Sequence, residues 1–205
     1  MREEKRAERR AQIEAAAYKL LQKNGYDGTS MLAIAKAAKA SNETLYRWYG
    51  DKNGLFNAMV ASNATLIKAS LSEVLGMGDD PLLRLKNSGP VLLAMLQGAR
   101  AIALNRAAAC DKTGTLGQTL SRGGREEVFP MICALMARAL EAEQIKARSA
   151  QVAAGWFIAL LIGDLQVRRV IGTAPELTGS EISLRAQLAF EDFMKLADGK
   201  LLTKP

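Results

Sequence analysis

Apolar residues recur at intervals of three and four along almost the whole chain, the spacing that lines one face of an α-helix. Nowhere do they alternate every second position as in a half-buried strand, so the pattern predicts an all-α protein. An opening helix from about Glu4 to Asn24 places Ile13, Ala17, Leu20 and Leu21 on one face, and Gly25 suits the left-handed position that ends a helix. After the turn "YDG", Thr29 or Ser30 can cap "MLAIAKAAK", whose Ile34, Ala35 and Ala38 form a face that another helix can approach closely. Ser41 can cap a third, short helix ending near Tyr49, and Asp51 a fourth. Two short helices joined by a tight turn at residues 39–41 form a helix-turn-helix arrangement.

Beyond residue 60 the helical runs lengthen, with breaks at "GMGDDP", "NSGP", "DKTGTLG", "SRGG" and "GTAPELTGS". Helices are expected at about 51–75, 81–97, 99–111, 115–121, 125–142, 148–171 and 179–197, with the Gly-rich "GTLGQTLSRGGRE" bending between its neighbours. The expected fold is an N-terminal three-helix helix-turn-helix domain, residues 1–50, followed by a larger C-terminal helical bundle, residues 51–205, with about nine to ten helices in all.

Composition narrows the chemistry. The 205 residues are 49% hydrophobic, enough to bury a helical core, and carry 28 Lys and Arg against 21 Asp and Glu, a net charge of +7 that favours a polyanionic partner. Residues 1–60 hold 11 basic and 7 acidic side chains, against 17 and 14 in the remaining 145, so positive charge is denser around the helix-turn-helix. There is no histidine, no P-loop and no metal-ligand spacing, which removes the usual equipment of an enzyme, and no cofactor is expected. Two cysteines, Cys110 and Cys133, without a CxxC pair fit a reducing cytoplasm. The charged start "MREEKRAERR" lacks the apolar run of a secretory leader, and "VAAGWFIALLIG" is shorter than the ~20 residues that span a bilayer, so no membrane partner is expected.

The stretch "SNETLYRWYGDK" gathers three aromatics, an arginine and a lysine in a chain with 5% aromatics. In a helix-turn-helix the second helix enters the major groove, and its N-terminal residues meet base edges. Asn42 suits an adenine edge, Glu43 can accept from cytosine N4, and Tyr46 offers a hydroxyl and an apolar ring for a thymine methyl. Thr29, Thr44, Arg47, Trp48 and Lys52 suit phosphate, Lys52 with the added pull of a helix N-terminus. Each has a plainer alternative: Leu45 and Tyr49 anchor the core, Glu43 can merely complement a helix dipole, and Arg47 and Lys52 can be solvated charges.

Residues 25–56, "GYDGTSMLAIAKAAKASNETLYRWYGDKNGLF", resemble the N-terminal domain of the TetR family of transcriptional regulators. Gly25-Tyr26, Thr29-Ser30, Ile34-Ala35, Ser41, Thr44-Leu45-Tyr46, Tyr49, Lys52 and Leu55 carry the resemblance in order and spacing. It implies phosphate contacts at Thr29, Thr44, Arg47, Trp48 and Lys52 and base contacts among Asn42, Glu43 and Tyr46, with Ser30 and Ser41 also on the DNA-facing motif. Lys39 stands where the family usually has Gly. If that position has positive φ, the lysine costs roughly 1 kcal/mol and can add a phosphate contact in return.

A single helix in one groove covers few base pairs, so a second copy of the chain is expected, reading a palindromic duplex as a homodimer. Ile182, Ala186, Ala189, Phe193 and Leu196 follow spacings of 4, 3, 4 and 3, and Val152, Trp156, Ala159 and Gly163 mark the helix before. Both seams are expected in the dimer interface, with intramolecular core as the rival assignment. "VFPMICALMARALEAEQI" and "AAGWFIALLIGDLQVRRVIG" resemble the AefR-like C-terminal regulatory domain, which implies a small-molecule effector. Met95, Asn105, Phe129, Trp156 and Asp164 are the candidate contacts to a lipophilic ligand, the methionine because it repacks easily. The expected function is a ligand-released repressor; the alternative is a dimeric DNA-binding protein with no effector.

Overall fold

The computed structural model describes residues 2–76 and 78–198, with the side chains of Arg2 and Glu3 left aside. The first residue of the charged N-terminal stretch and residues 199–205 of the expected C-terminal domain lie outside the described residues. The described residues form eleven α-helices and one π-helical turn, with no strand. In order they are α1 (Arg2–Asn24), α2 (Met31–Ala37), α3 (Asn42–Tyr49), α4 (Lys52–Leu75), α5 (Pro81–Gln97), α6 (Ala99–Cys110) and α7 (Thr115–Leu120). The π turn (Ser121–Arg125) follows, then α8 (Glu126–Glu141), α9 (Ala150–Ile162), α10 (Leu165–Ile171) and α11 (Gly179–Ala197).

The chain divides into two compact units, Met1–Asn63 with Ala99–Gly124, and Ala64–Gly98 with Arg125–Pro205. This differs from the single cut expected near residue 50. The first unit recruits α6 and α7 because Ala103, Leu104, Ala107 and Leu116 bury in one apolar cluster with Ile13 and Ala17 of α1, Ile34 of α2, Leu45 of α3 and Phe56 of α4. The second unit has its own cluster, in which Leu85, Leu92 and Leu93 of α5, Ile132 and Met136 of α8, Phe157 of α9 and Phe193 of α11 are buried. Phe157 and Phe193 meet edge to face with ring centroids 5.8 Å apart. α4 belongs to the first unit up to Asn63 and to the second from Ala64.

Local chemistry sets most boundaries where expected. Gly25 ends α1 at φ +70, its N–H bonded to Leu21 O. Asp51 starts α4 by accepting from Gly54 N at 2.7 Å, and Thr178 and Glu181 start α11 with a reciprocal capping box. The Thr178 backbone N–H holds the Glu181 carboxyl below its ordinary pKa.

Two expectations are corrected. The expected helix over 148–171 is two helices, bent by 49° at Gly163 and Asp164. Gly163 has φ +53, and a Cβ there would meet Arg185 Nη2 at 2.6 Å; Arg185 Nε donates to Leu161 O at 2.7 Å, satisfying a terminal carbonyl of α9. α7 falls where a helix over 115–121 is expected, while the rest of the Gly-rich segment forms a π turn instead of a bent loop. Its glycine at 123 is needed because a Cβ would lie 2.9 Å from Val60 Cγ1.

Candidate nucleic-acid interface

The helix-turn-helix is assembled from short-range hydrogen bonds. Ser30, not Thr29, caps α2, its Oγ accepting from Ala33 N at 3.1 Å. Lys39 has φ +50 in the turn, the left-handed position suspected from the missing glycine. Ala40 N donates to Ala35 O at 2.9 Å, and a guanidinium N–H of Arg9, on α1, donates to Lys39 O. Ser41 Oγ accepts from Thr44 N at 3.1 Å and pairs with the Thr44 hydroxyl at 2.8 Å, so both serve first as the N-cap of α3.

Leu45 is fully buried and fixes the rotation of α3. That rotation turns Asn42, Glu43, Tyr46 and Arg47 outward, and Tyr46 remains 50% exposed. Ser30, Lys39 and Ser41 are also exposed, and Thr44 is half-buried. The four outward residues of α3 thus present an amide, a carboxylate, a phenol and a guanidinium side by side. That is the inventory required to read base edges and hold a phosphate.

Three expected phosphate ligands are placed differently. Thr29 is 1% exposed, and its hydroxyl donates to Gly25 O at 2.7 Å, so it closes the turn before α2 and has no free face toward DNA. Lys52 is half-buried; its Nζ donates to Tyr26 O at 2.9 Å and stands 4.1 Å from the Tyr26 ring centroid. One of its three donors is therefore committed to the fold. Trp48 is half-buried, with Arg6 and Arg10 of α1 at 5.6 and 5.9 Å from its ring centroid. Burial pushes the phenol of Tyr26 up to about 12, with Asp51 adding to the effect, and burial also pushes that of Tyr49 up to about 12. The three α1 arginines escaped the sequence reading, although their spacing of three and four on a helix was the available signal.

In the second unit the expected dimer seam turns inward. Ala186, Ala189 and Phe193 are buried in the cluster that includes Leu85 and Phe157, and a Cβ on Gly89 would lie 3.3 Å from that of Ala186. Those residues are core, because α5 and α9 pack on that face of α11. Trp156 and Ile182 are half-buried against the same cluster, Val152 is half-buried, and Ala159 and Gly163 are exposed. The outward apolar residues of α11 are Leu184 and Leu188, 58% and 50% exposed.

The candidate ligand contacts are not gathered in one unit. Asn105 belongs to the first unit and donates to Ala101 O of its own helix at 2.9 Å. Asp164 is exposed at the break between α9 and α10, while Met95, Phe129 and Trp156 are half-buried against the core of the second unit. Gln97 was missed. It is 2% exposed at the end of α5, and its side-chain Oε1 and Nε2 have no hydrogen-bond partner among the described residues. A polar residue between apolar runs gives no sign of this in sequence. No cluster of three or more His, Cys, Asp or Glu side chains able to hold a metal occurs among the described residues. No single helix there is long and apolar enough to cross a membrane.

Comparison with known proteins matches residues 13–59 to bacterial regulatory proteins of the tetR family and residues 84–196 to the C-terminal domain of AefR-like transcriptional repressors. A helix-turn-helix-type transcriptional regulator, HbdR of Aromatoleum sp. (strain CIB), is 46% identical over 48 residues, which are 23% of this chain and about a fifth of that relative's length, 21%. A crystal structure of a tetR-family regulator from Mesorhizobium loti MAFF303099 superposes with a TM-score of 0.78 at 24% identity, covering 93% of this chain and 96% of that one. The regulator FadR of Bacillus subtilis, solved with stearoyl-CoA, superposes with a TM-score of 0.75 at 12% identity, covering 90% and 97%. Both likenesses establish a shared fold.

Proposed function

The chain belongs to the TetR family of bacterial regulatory proteins, and from that premise we propose a homodimeric repressor that binds a palindromic operator through α3 and is released by a small lipophilic effector. The observation that carries the DNA-binding part is the rotation of α3. One fully buried side chain, Leu45, holds the helix so that Asn42, Glu43, Tyr46 and Arg47 face away from the core. Asn42 addresses an adenine edge, Glu43 a cytosine amine, and Tyr46 a thymine methyl or a base acceptor. Arg47, Lys39, Ser30, Ser41, Thr44 and the remaining donors of Lys52 address phosphates and fix register.

Dimerisation supplies the second half-site. The exposed Leu184 and Leu188 replace the buried seam as its centre, with Ala159 as a small residue of α9 that permits close approach. Occupancy of the operator would exclude polymerase. An effector relieves it only as far as it binds one separation of the two α3 helices better than the other. Gln97 supports a ligand with an apolar body and a polar head, since its buried amide has donors and an acceptor to offer. The stearoyl-CoA carried by the Bacillus subtilis neighbour is an example of that chemistry on the same fold.

A second reading keeps the DNA-binding dimer and drops the effector. It is favoured by the scatter of Asn105 and Asp164 away from the apolar core of the second unit. Selection of bound sequences from random duplex DNA tests the main reading. The expected product is an inverted repeat with half-site centres one helical turn, about 34–36 Å, or a multiple of it apart. Absence of any enriched sequence would contradict it.

A further inference from the structure

We propose that Arg6 and Arg10, whose guanidiniums lie over the Trp48 ring, grip DNA phosphates beside the groove that α3 enters, an inference that rests on the DNA-binding reading above. Both guanidiniums lie within 6 Å of the Trp48 ring centroid, and neither is in an ion pair among the described residues. A guanidinium held by cation–π attraction to a ring spends none of its N–H donors on that contact, and its planar fork matches phosphate oxygens two at a time. Trp48 is thus the platform, and the arginines are the ligands.

Placement favours phosphate over bases. Trp48 lies six residues after Asn42 on α3, about 9 Å along the helix at 1.5 Å per residue. It also lies three positions after the buried Leu45, at the border of the core face. A major groove about 12 Å wide is walled by phosphates at that distance from the bases the helix N-terminus would read. At about 100° per residue Lys5, Arg6, Arg9 and Arg10 fall within one arc of α1, with Glu4 and Glu8 on the other side and Glu3 at the edge of the arc beside Arg10. Arg9 also ties this segment to the turn of the helix-turn-helix through Lys39 O. These residues precede the segment matched to the family, which begins at residue 13, so they add a contact the shared motif does not describe.

The test is a fluorescence-anisotropy titration of the full chain over a salt series, using the duplex enriched by selection and a random-sequence duplex of the same length. Arg6→Gln with Arg10→Gln is compared with the native chain after circular dichroism shows that both are folded. Four phosphate contacts per dimer predict that the slope of log K against log salt flattens by roughly 3–4 on both duplexes, while the enriched sequence stays the same. A slope within about one unit of the native value overturns the arginine assignment while leaving α3 as the reading helix. A new sequence preference in the variant also overturns it, in favour of base contact. If the native chain enriches no duplex, the DNA-binding reading fails and this inference with it.

Discussion

α3 and α11 each bury one face, but α11 keeps a pair of large apolar side chains among the polar residues of its outer one. On α3 the inward anchor is Leu45 and the outward set is Asn42, Glu43, Tyr46 and Arg47, all polar or amphipathic. On α11 the inward set is Ala186, Ala189 and Phe193, and two leucines one turn apart, Leu184 and Leu188, still face outward. A face of hydrogen-bonding groups suits a polar, charged ligand such as duplex DNA, whereas paired exposed leucines suit another apolar surface. The same architectural unit thus leaves hydrogen-bonding groups outward in one place and two leucines outward in the other, and the difference lies in which residues escape the core.

Phe193→Ala should produce the largest effect. Removing a fully buried ring that packs on Phe157 is expected to destabilise the second unit by about 3–5 kcal/mol, read as a lower midpoint in urea unfolding. If instead the dimer dissociates with stability unchanged, Phe193 belongs to the interface after all. Next, Leu184→Arg with Leu188→Arg should leave protomer stability nearly unaltered but give monomers in analytical ultracentrifugation. Affinity for a two-half-site duplex should fall at least about a hundredfold, about 2.7 kcal/mol. A dimer surviving both charges would move the interface elsewhere.

The reading face should respond on a smaller scale. Asn42→Ala is expected to reduce discrimination between the selected duplex and random DNA by about 1–3 kcal/mol without changing the thermal midpoint. Equal losses on both duplexes would make Asn42 a phosphate contact. Lys39→Gly should be the mildest, stabilising the first unit by roughly 0.5–1 kcal/mol because glycine adopts the positive φ at no steric cost. A destabilised variant would mean that the lysine side chain is held by the fold.

What could be read in the sequence was what neighbouring residues decide among themselves. The caps at Ser41 and Asp51, the terminator Gly25 and the left-handed turn at Lys39 depend on groups within a few positions, and the structure has them where the pattern expects. What escaped depends on contacts between distant segments. Gly163 breaks a helical pattern because Arg185, 22 positions later, fills the space its Cβ would need. Thr29 and Lys52 look like free polar groups until the carbonyls of Gly25 and Tyr26 engage them. The 4, 3, 4, 3 spacing on α11 marks an apolar face, but that spacing is the same for a face packed on its own chain and one packed on a partner. Nothing local marks Arg6 and Arg10, whose shared neighbour Trp48 lies some forty residues away in sequence.

Operator recognition of this kind requires α3 to point its N-terminal residues into the groove. The most direct measurement attaches a hydroxyl-radical-generating iron chelate to Asn42→Cys, with Cys110 and Cys133 replaced by serine, and maps strand cleavage on the selected duplex. Cuts confined to the two half-sites and related by the symmetry of the inverted repeat are predicted. Cleavage scattered along the duplex, or centred outside both half-sites, would contradict the account.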